Sequence, residues 1–250
     1  VGILCALPQE RELLVTALEE GERVLGTGLE AQVGRLDGQA AVVATCGVGK
    51  VNAAITATLL VERLGCRALV LSGVAGGLSA DLHVGDLVIA ERVIDVDYGR
   101  ITDGGRTVYQ PGTLPLPGTD PDPGYRLPVR LARTVHGHAA ACGFDVTLGT
   151  VLSGDAFLAS ARVRDELAAR WSAVAIEMEG SAVCGVAERF GIPWLVVRAL
   201  SDRAGEESAI DFAAFLGQAA EASAMLVRTL LPALADAGRW GLGARPRVSA

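Results

Sequence analysis

Two short stretches carry groups that could do chemistry. The first is Ala175-Ile176-Glu177-Met178-Glu179-Gly180-Ser181, and the second is Val196-Val197-Arg198-Ala199-Leu200-Ser201-Asp202. Each is an apolar, strand-like run that stops abruptly at carboxylates. Such runs suit central strands covered on both faces, and open α/β folds keep their ligand crevices at strand ends. Glu177 and Glu179 are two apart, so in extended chain they share a face with Met178 on the other. A bend there would bring one carboxylate to a ligand with Met178 packed beside it. Taken alone, the two glutamates would equally suit a helix N-terminus, which favours acidic side chains. Ser201 and Asp202 likewise would suit a helix N-cap. A third carboxylate, Glu10, follows Ala6-Leu7-Pro8-Gln9, where a strand gives way to a helix that opens on proline.

The elements that must position these groups alternate along the chain. Residues 1–7 read as a buried strand. Residues 31–36 and 40–45 read as strands joined at Asp37-Gly38, a hairpin signal. Cys46-Gly47-Val48-Gly49-Lys50-Val51-Asn52 then leads into an alanine-rich helix. It has the look of a phosphate loop and fails the test, with Ala44 where the first glycine is needed and Val51 where Ser or Thr must follow the lysine. It reads better as a tight turn whose backbone comes close to a ligand. Residues 68–72 form another buried strand, ending in a small-residue turn at 73–77 that would let a ligand lie against main chain. Residues 84–90 form a turn and strand. The 99–128 stretch holds Pro111, Pro115, Pro117, Pro121, Pro123 and Pro128 and reads as a long functional or partner-contacting loop. A helix over 131–142, a strand over 146–153 ending in Ser153-Gly154-Asp155-Ala156-Phe157-Leu158, helices over 162–170 and 181–190, and a last strand from 194 follow. Residues 212–234 predict a long helix with its apolar face to the sheet. Strands alternating with helices, plus one hairpin, give an α/β protein with a mixed, covered sheet.

Composition narrows the function classes. Half of the 250 residues are hydrophobic, and the formal charge of −7 argues against a nucleic-acid-binding surface. No apolar run is expected to reach a membrane span, and residues 1–7 are too short and lack the basic flank expected of a signal peptide. Cys5, Cys46, Cys66, Cys142 and Cys184 are scattered without a CxxC, as expected of reduced thiols in the cytoplasm, and the histidines show no zinc spacing. Carboxylates beside an apolar wall suit a neutral, hydroxyl-bearing ligand. Glycoside cleavage passes through an oxocarbenium-like state and typically uses two carboxyl groups.

These motifs, in this order, resemble the methylthioadenosine/S-adenosylhomocysteine nucleosidases of the nucleoside phosphorylase/hydrolase superfamily. The match rests on Ala6-Leu7-Pro8-Gln9-Glu10, Gly47-Val48-Gly49-Lys50-Val51, Gly73-Val74-Ala75-Gly76-Gly77, Ser153-Gly154-Asp155-Ala156-Phe157, Ile176-Glu177-Met178-Glu179 and Arg198-Ala199-Leu200-Ser201-Asp202. The resemblance implies a three-layer α/β/α sandwich with a central mixed, partly barrel-like sheet. It implies one domain over 1–236 with a flexible 237–250 tail, a homodimer, and no cofactor or metal. The reaction implied is hydrolysis of the N-glycosidic bond to adenine. Asp202 would be the general acid at adenine N7, held by Ser201. Glu10 would activate the attacking water, with Glu177 and Arg198 helping to position it. Glu179 would grip the ribose hydroxyls with Met178 packed on the sugar. Phe157 would stack on adenine, the Leu158 backbone would read the base edge, and Val48 and Phe212 would line the pocket for the 5′-thio group. Val74 stands where many members have a serine that helps hold the water, and Val96 where a histidine is usual. The rivals are a same-fold nucleosidase for aminodeoxyfutalosine or futalosine, a phosphate-dependent phosphorylase, and a nucleoside-binding sensor.

Overall fold

Apolar runs become central strands wherever both faces can be covered, and this chain supplies such runs from its first residues. The computed structural model describes residues 1–26, 28–118 and 122–235. β1 (Gly2–Cys5), α1 (Pro8–Thr16), β2 (Glu19–Gly26), β3 (Leu29–Leu36), β4 (Gln39–Thr45) and α2 (Lys50–Glu62) come first. β5 (Leu69–Gly77), β6 (Leu87–Asp95), β7 (Gly99–Thr102), β8 (Gly105–Val108), β9 (Tyr125–Arg126) and α3 (Val129–Ala141) follow. The chain continues through β10 (Val146–Ser153), α4 (Ala161–Trp171), β11 (Ala173–Glu177), α5 (Gly180–Phe190), β12 (Trp194–Asp202) and α6 (Ser208–Ala235).

β5 belongs to two halves of one sheet. It pairs in parallel with β1 on one side and β12 on the other. Beyond β1 the sheet runs through β4, β3 and β2 as an open arm. Beyond β12 it runs through β6, β10 and β11. β11 then returns to the far end of β5, antiparallel, with Ala175 opposite Gly77 and Ile176 opposite Gly76. β5, β12, β6, β10 and β11 thereby close into a barrel, which removes their free edges. α2 and α5 pack together on one face, and α6, with α1 and α3 against it, covers the other. This is the expected three-layer arrangement with a mixed, partly barrel-like sheet.

Several local expectations change. The 73–77 segment is not a turn: it continues β5 in extended form. Its glycines serve close approach instead, since a Cβ at Gly77 would stand 3.1 Å from Leu200 Cδ1 and 3.3 Å from the Asp202 carbonyl oxygen. The 99–128 stretch is not a bare loop: it carries the β7–β8 hairpin and β9. β2 was not foreseen, because Glu-Glu-Gly-Glu-Arg-Val-Leu-Gly has neither alternation nor a buried face. Such a charged, exposed strand suits a sheet edge. The Asp37-Gly38 hairpin forms as expected, with both residues at positive φ. Pro121 and the 237–250 tail lie outside the described residues.

α6 starts earlier than expected and is long and apolar enough to cross a membrane by length and mean hydropathy (1.3). Ala219, Ala220, Ser223, Ala224, Leu226, Val227, Leu230 and Leu231 recur at helical spacing and are buried. That face packs on β5 and β12, as in a sheet-covering helix.

Candidate active site

The strand ends converge on one cavity of about 270 Å³. Among the described residues lining it are four carboxylates, Glu10, Glu177, Glu179 and Asp202, and no lysine, arginine or histidine. Val48, Val74, Phe157, Leu158, Met178 and Phe212 supply apolar wall, with Ala75, Gly76, Ile176 and Ala204 beside them. Ile176 falls within a quoted motif but was given no role from sequence, and Ala204 was missed, its only signal being adjacency to the Arg198–Asp202 motif. Arg198 and Ser201 do not line the cavity and act from behind it.

Asp202 reaches the cavity through a break in strand register. β12 pairs with β5 through Leu200 opposite Ala75, then Asp202 opposite Gly76, leaving Ser201 as the extra residue of a bulge. Bulges re-aim side chains, and this one turns the Asp202 carboxyl inward. Ser201 Oγ donates to Asp202 Oδ2 at 2.9 Å and Ala204 N–H donates to Oδ1 at 2.8 Å. Ala204 makes that turn at positive φ, a conformation costly for a non-glycine and found where function requires it. The helix-cap reading fails, since α6 begins only at Ser208. Burial raises the Asp202 pKa, against the hydrogen bonds from Ala204 and Ser201. The shift favours the protonated carboxyl, the form that a general acid must hold.

Glu10 sits in the first turn of α1 and is buried. The Leu7 N–H donates to Oε2 at 2.9 Å and the Val74 N–H to Oε1 at 3.0 Å. The second bond needs only backbone, so valine in place of serine at 74 still holds the carboxylate. Burial raises the Glu10 pKa, and the Arg198 charge partly opposes it.

Arg198 is buried and clamps the glutamate pair. Its Nη2 donates to Glu179 Oε2 at 3.0 Å and, at short range, to Glu177 Oε2. Burial works against its charge, but Glu177, Glu179 and Glu10 outweigh this and hold the guanidinium firmly protonated. Nη1 and Nε have no hydrogen-bond partner among the described residues. Nη1 and Glu10 Oε1 both flank Gly73.

Glu177 and Glu179 differ in their surroundings. Glu177 serves the helix N-terminus: its carboxylate accepts from Glu179 N–H, Gly180 N–H and Ser153 Oγ as well as Arg198. That leaves it little capacity for water, the role expected of it from sequence. Glu179 is less bound, accepting from Gly49 N–H at 2.9 Å and from Arg198. Burial pushes its pKa up to about 7, with Arg198 opposing. Phe157 and Phe212 meet edge to face, ring centroids 6.0 Å apart. Val96 packs in an apolar cluster with Leu158 and lies outside the cavity lining.

Two consequences are measurable. A Cβ at Gly73 would collide with Glu10 Oε1 and stand 2.5 Å from Arg198 Nη1. Gly73→Ala is therefore expected to displace both groups and cut turnover about tenfold, with binding less affected, because catalysis depends on sub-ångström placement. Initial rates at saturating substrate check this; an unaltered kcat would mean that neither group's position matters.

The second concerns pH and stability. Glu10, Glu179 and Asp202 are all raised by burial. In the folded state they keep protons that the unfolded chain has already released. Stability from these groups is present below their unfolded pKa values and is lost as the pH rises through the folded ones. The unfolding temperature is thus expected to fall between about pH 4 and pH 7, and Glu179→Gln should flatten the slope. A slope of the opposite sign would mean that their partners outweigh burial at these carboxylates.

A family model described as Phosphorylase superfamily matches residues 1–232. A Mycobacterium bovis protein named 5′-methylthioadenosine/S-adenosylhomocysteine nucleosidase is 41% identical over 248 residues, 94% of this chain and 97% of the relative. The solved structure of a nucleosidase of the same name from Neisseria meningitidis, in complex with methylthio-immucillin-A, superposes with a TM-score of 0.81 and 31% identity, covering 93% of this chain and 98% of that one. A Helicobacter pylori futalosine hydrolase mutant gives a TM-score of 0.83 at 27% identity, covering 92% and 97%.

Proposed function

This chain belongs to the methylthioadenosine/S-adenosylhomocysteine nucleosidases of the phosphorylase superfamily, and on that premise we propose how its cavity hydrolyses the N-glycosidic bond of those two nucleosides. Asp202 is the general acid. Its carboxyl donates to adenine N7 while the other oxygen accepts from the 6-amino group, an arrangement the ionised carboxylate cannot make. Protonated adenine is the better leaving group, and the ribosyl cation that develops is then met by water. Glu10 orients and activates that water, with the unpartnered Arg198 nitrogens beside it. Glu179 binds the ribose hydroxyls, Met178 packs on the sugar and Phe157 meets the base face. Glu177 acts from outside this chemistry by holding Arg198 and the start of α5.

The observation that carries this reading is the charge of the cavity. Four acidic side chains line it, Asp202 among them in its protonated form, and among the described residues no cation does; the remaining carboxylates repel phosphate as a nucleophile and suit water and a cationic transition state. Arg198 does not line the cavity and its Nη2 is committed to Glu177 and Glu179, while Lys50 is committed to Asp95 and Asp97. The same electrostatics favour a hydrolase over a phosphorylase. An intact acid, base and sugar carboxylate favour an enzyme over a sensor.

Discrimination at the 6-position tests the Asp202 role. Methylthioinosine presents a carbonyl where adenine presents an amine, so two acceptors would face each other. Its cleavage is expected to be slower than that of methylthioadenosine by at least about tenfold in kcat/KM. Equal rates would remove Asp202 from the base edge. Including aminodeoxyfutalosine in the same panel reads the 5′-side, where the likeness to a futalosine hydrolase keeps a second substrate open.

A further inference from the structure

The 46–50 turn resembles a phosphate loop, yet its lysine does not line the carboxylate cavity. Lys50 Nζ lies 2.8 Å from Asp95 Oδ1 and 2.9 Å from Asp97 Oδ2, with Asp155 Oδ2 at 3.7 Å. Backbone bonds tie the same residues together. Lys50 N–H donates to Asp155 Oδ1 at 3.0 Å, Asp155 N–H to Asp97 Oδ2 at 2.7 Å, and Asp97 N–H to Asp95 Oδ1 at 2.9 Å. The Lys50 side chain is 14% exposed and that of Asp95 11%, so salt screens this pair less than a surface one. Burial works against the ammonium, and the two nearer aspartates outweigh it, raising its pKa.

What this cluster holds is the 154–160 loop, which has neither strand nor helix of its own. Phe157 stands on it, half exposed. One flank is fixed by Gly154 N–H donating to the Glu177 carbonyl at 3.0 Å; toward the other, Ser208 Oγ stands 3.3 Å from the Leu158 carbonyl oxygen and 2.7 Å from that of Gly205, between which its one proton is shared. Between them, Asp155 is the tie to α2. The residue before Lys50 makes the matching contact at the sugar end, Gly49 N–H to Glu179. A single turn of backbone therefore touches both the carboxylate assigned to the ribose and the loop assigned to the base.

We propose that Lys50 is a positioning residue: through Asp155 and Asp97 it fixes the 154–160 loop so that Phe157 meets the purine face, while its neighbour Gly49 sets Glu179. This rests on the functional reading above and deepens it. The distance between base wall and sugar carboxylate is then a property of the α2 N-terminus, and the lysine that imitates a phosphate loop acts on substrate through protein alone.

Titrating free adenine calorimetrically into wild type, Lys50→Met, Lys50→Arg and Asp155→Ala proteins reads the base face without catalysis. KM, kcat and unfolding temperature are measured beside it. Lys50→Met is expected to weaken adenine binding and raise KM for methylthioadenosine by about tenfold, while kcat falls less than about threefold. Lys50→Arg, which keeps a cation among the aspartates, should recover most of the loss. Asp155 is exposed, so Asp155→Ala leaves the fold intact and should show the same pattern in smaller measure. Wild-type adenine affinity in Asp155→Ala overturns the proposal whatever Lys50→Met does, and so does a Lys50→Arg protein no better than Lys50→Met. A wild type that neither binds adenine nor cleaves methylthioadenosine overturns the functional reading instead, and this proposal with it.

Discussion

Asp202→Asn is expected to lower kcat for adenine release by about 10²-fold or more while leaving KM within a few-fold. Asparagine is nearly isosteric and can still accept the Ala204 N–H bond that holds Oδ1. Its amide can also donate to N7 and accept from the 6-amino group, so the base is still bound. What it cannot do is transfer a proton. The loss therefore falls on the chemical step, and adenine leaves as a poorer, unprotonated group. Stability should change little or rise, because a buried carboxyl with a raised pKa is replaced by a neutral group. Steady-state kinetics with a thermal melt separates these effects. A variant with near wild-type kcat would remove Asp202 from the acid role; one that lost binding in proportion would make it a base-recognition residue only.

Glu10→Gln is the second large effect. Removing the carboxylate's charge is expected to reduce turnover by about 10²–10⁴-fold, with adenine and nucleoside-analogue binding retained. The water that Glu10 would activate is not part of ground-state recognition, so the effect belongs in kcat. One complication is structural. Both Glu10 oxygens accept from backbone, Leu7 N–H and Val74 N–H. The glutamine NH₂ must face one of those donors, which leaves a buried pair unsatisfied and costs about 1–3 kcal/mol of stability. A binding titration against an inert adenine nucleoside analogue decides the matter. If binding disappears with turnover, Glu10 shapes the cavity and its assignment as base falls.

How much of this was legible in the sequence differs from group to group. The strand ends were legible, because apolar runs that stop at carboxylates mark covered strands meeting a crevice. Glu10, Glu179 and Asp202 were found that way and share one cavity. The barrel closure was legible only through the resemblance: pairing of β11 with the end of β5 joins residues about a hundred positions apart. The extended 73–77 segment was misread as a turn because four small residues mark either flexibility or close approach. Only the neighbours, here Glu10, Arg198 and Leu200, distinguish the two. β2 was missed because an exposed edge strand needs no hydrophobic pattern. The division of labour between Glu177 and Glu179 depends on which one the α5 N-terminus consumes, a matter of one backbone turn. Lys50 was noticed and left without a role, since its partners Asp95, Asp97 and Asp155 lie far along the chain.

The central claim is that this cavity uses water, through Glu10, and not phosphate. It is tested most directly by incubating the protein with methylthioadenosine in phosphate-free buffer and again with added phosphate, and following the products by chromatography. The account predicts adenine and free methylthioribose at the same rate in both. Adenine formed only with phosphate, together with methylthioribose 1-phosphate, would contradict it and make the carboxylate-lined cavity that of a phosphorylase.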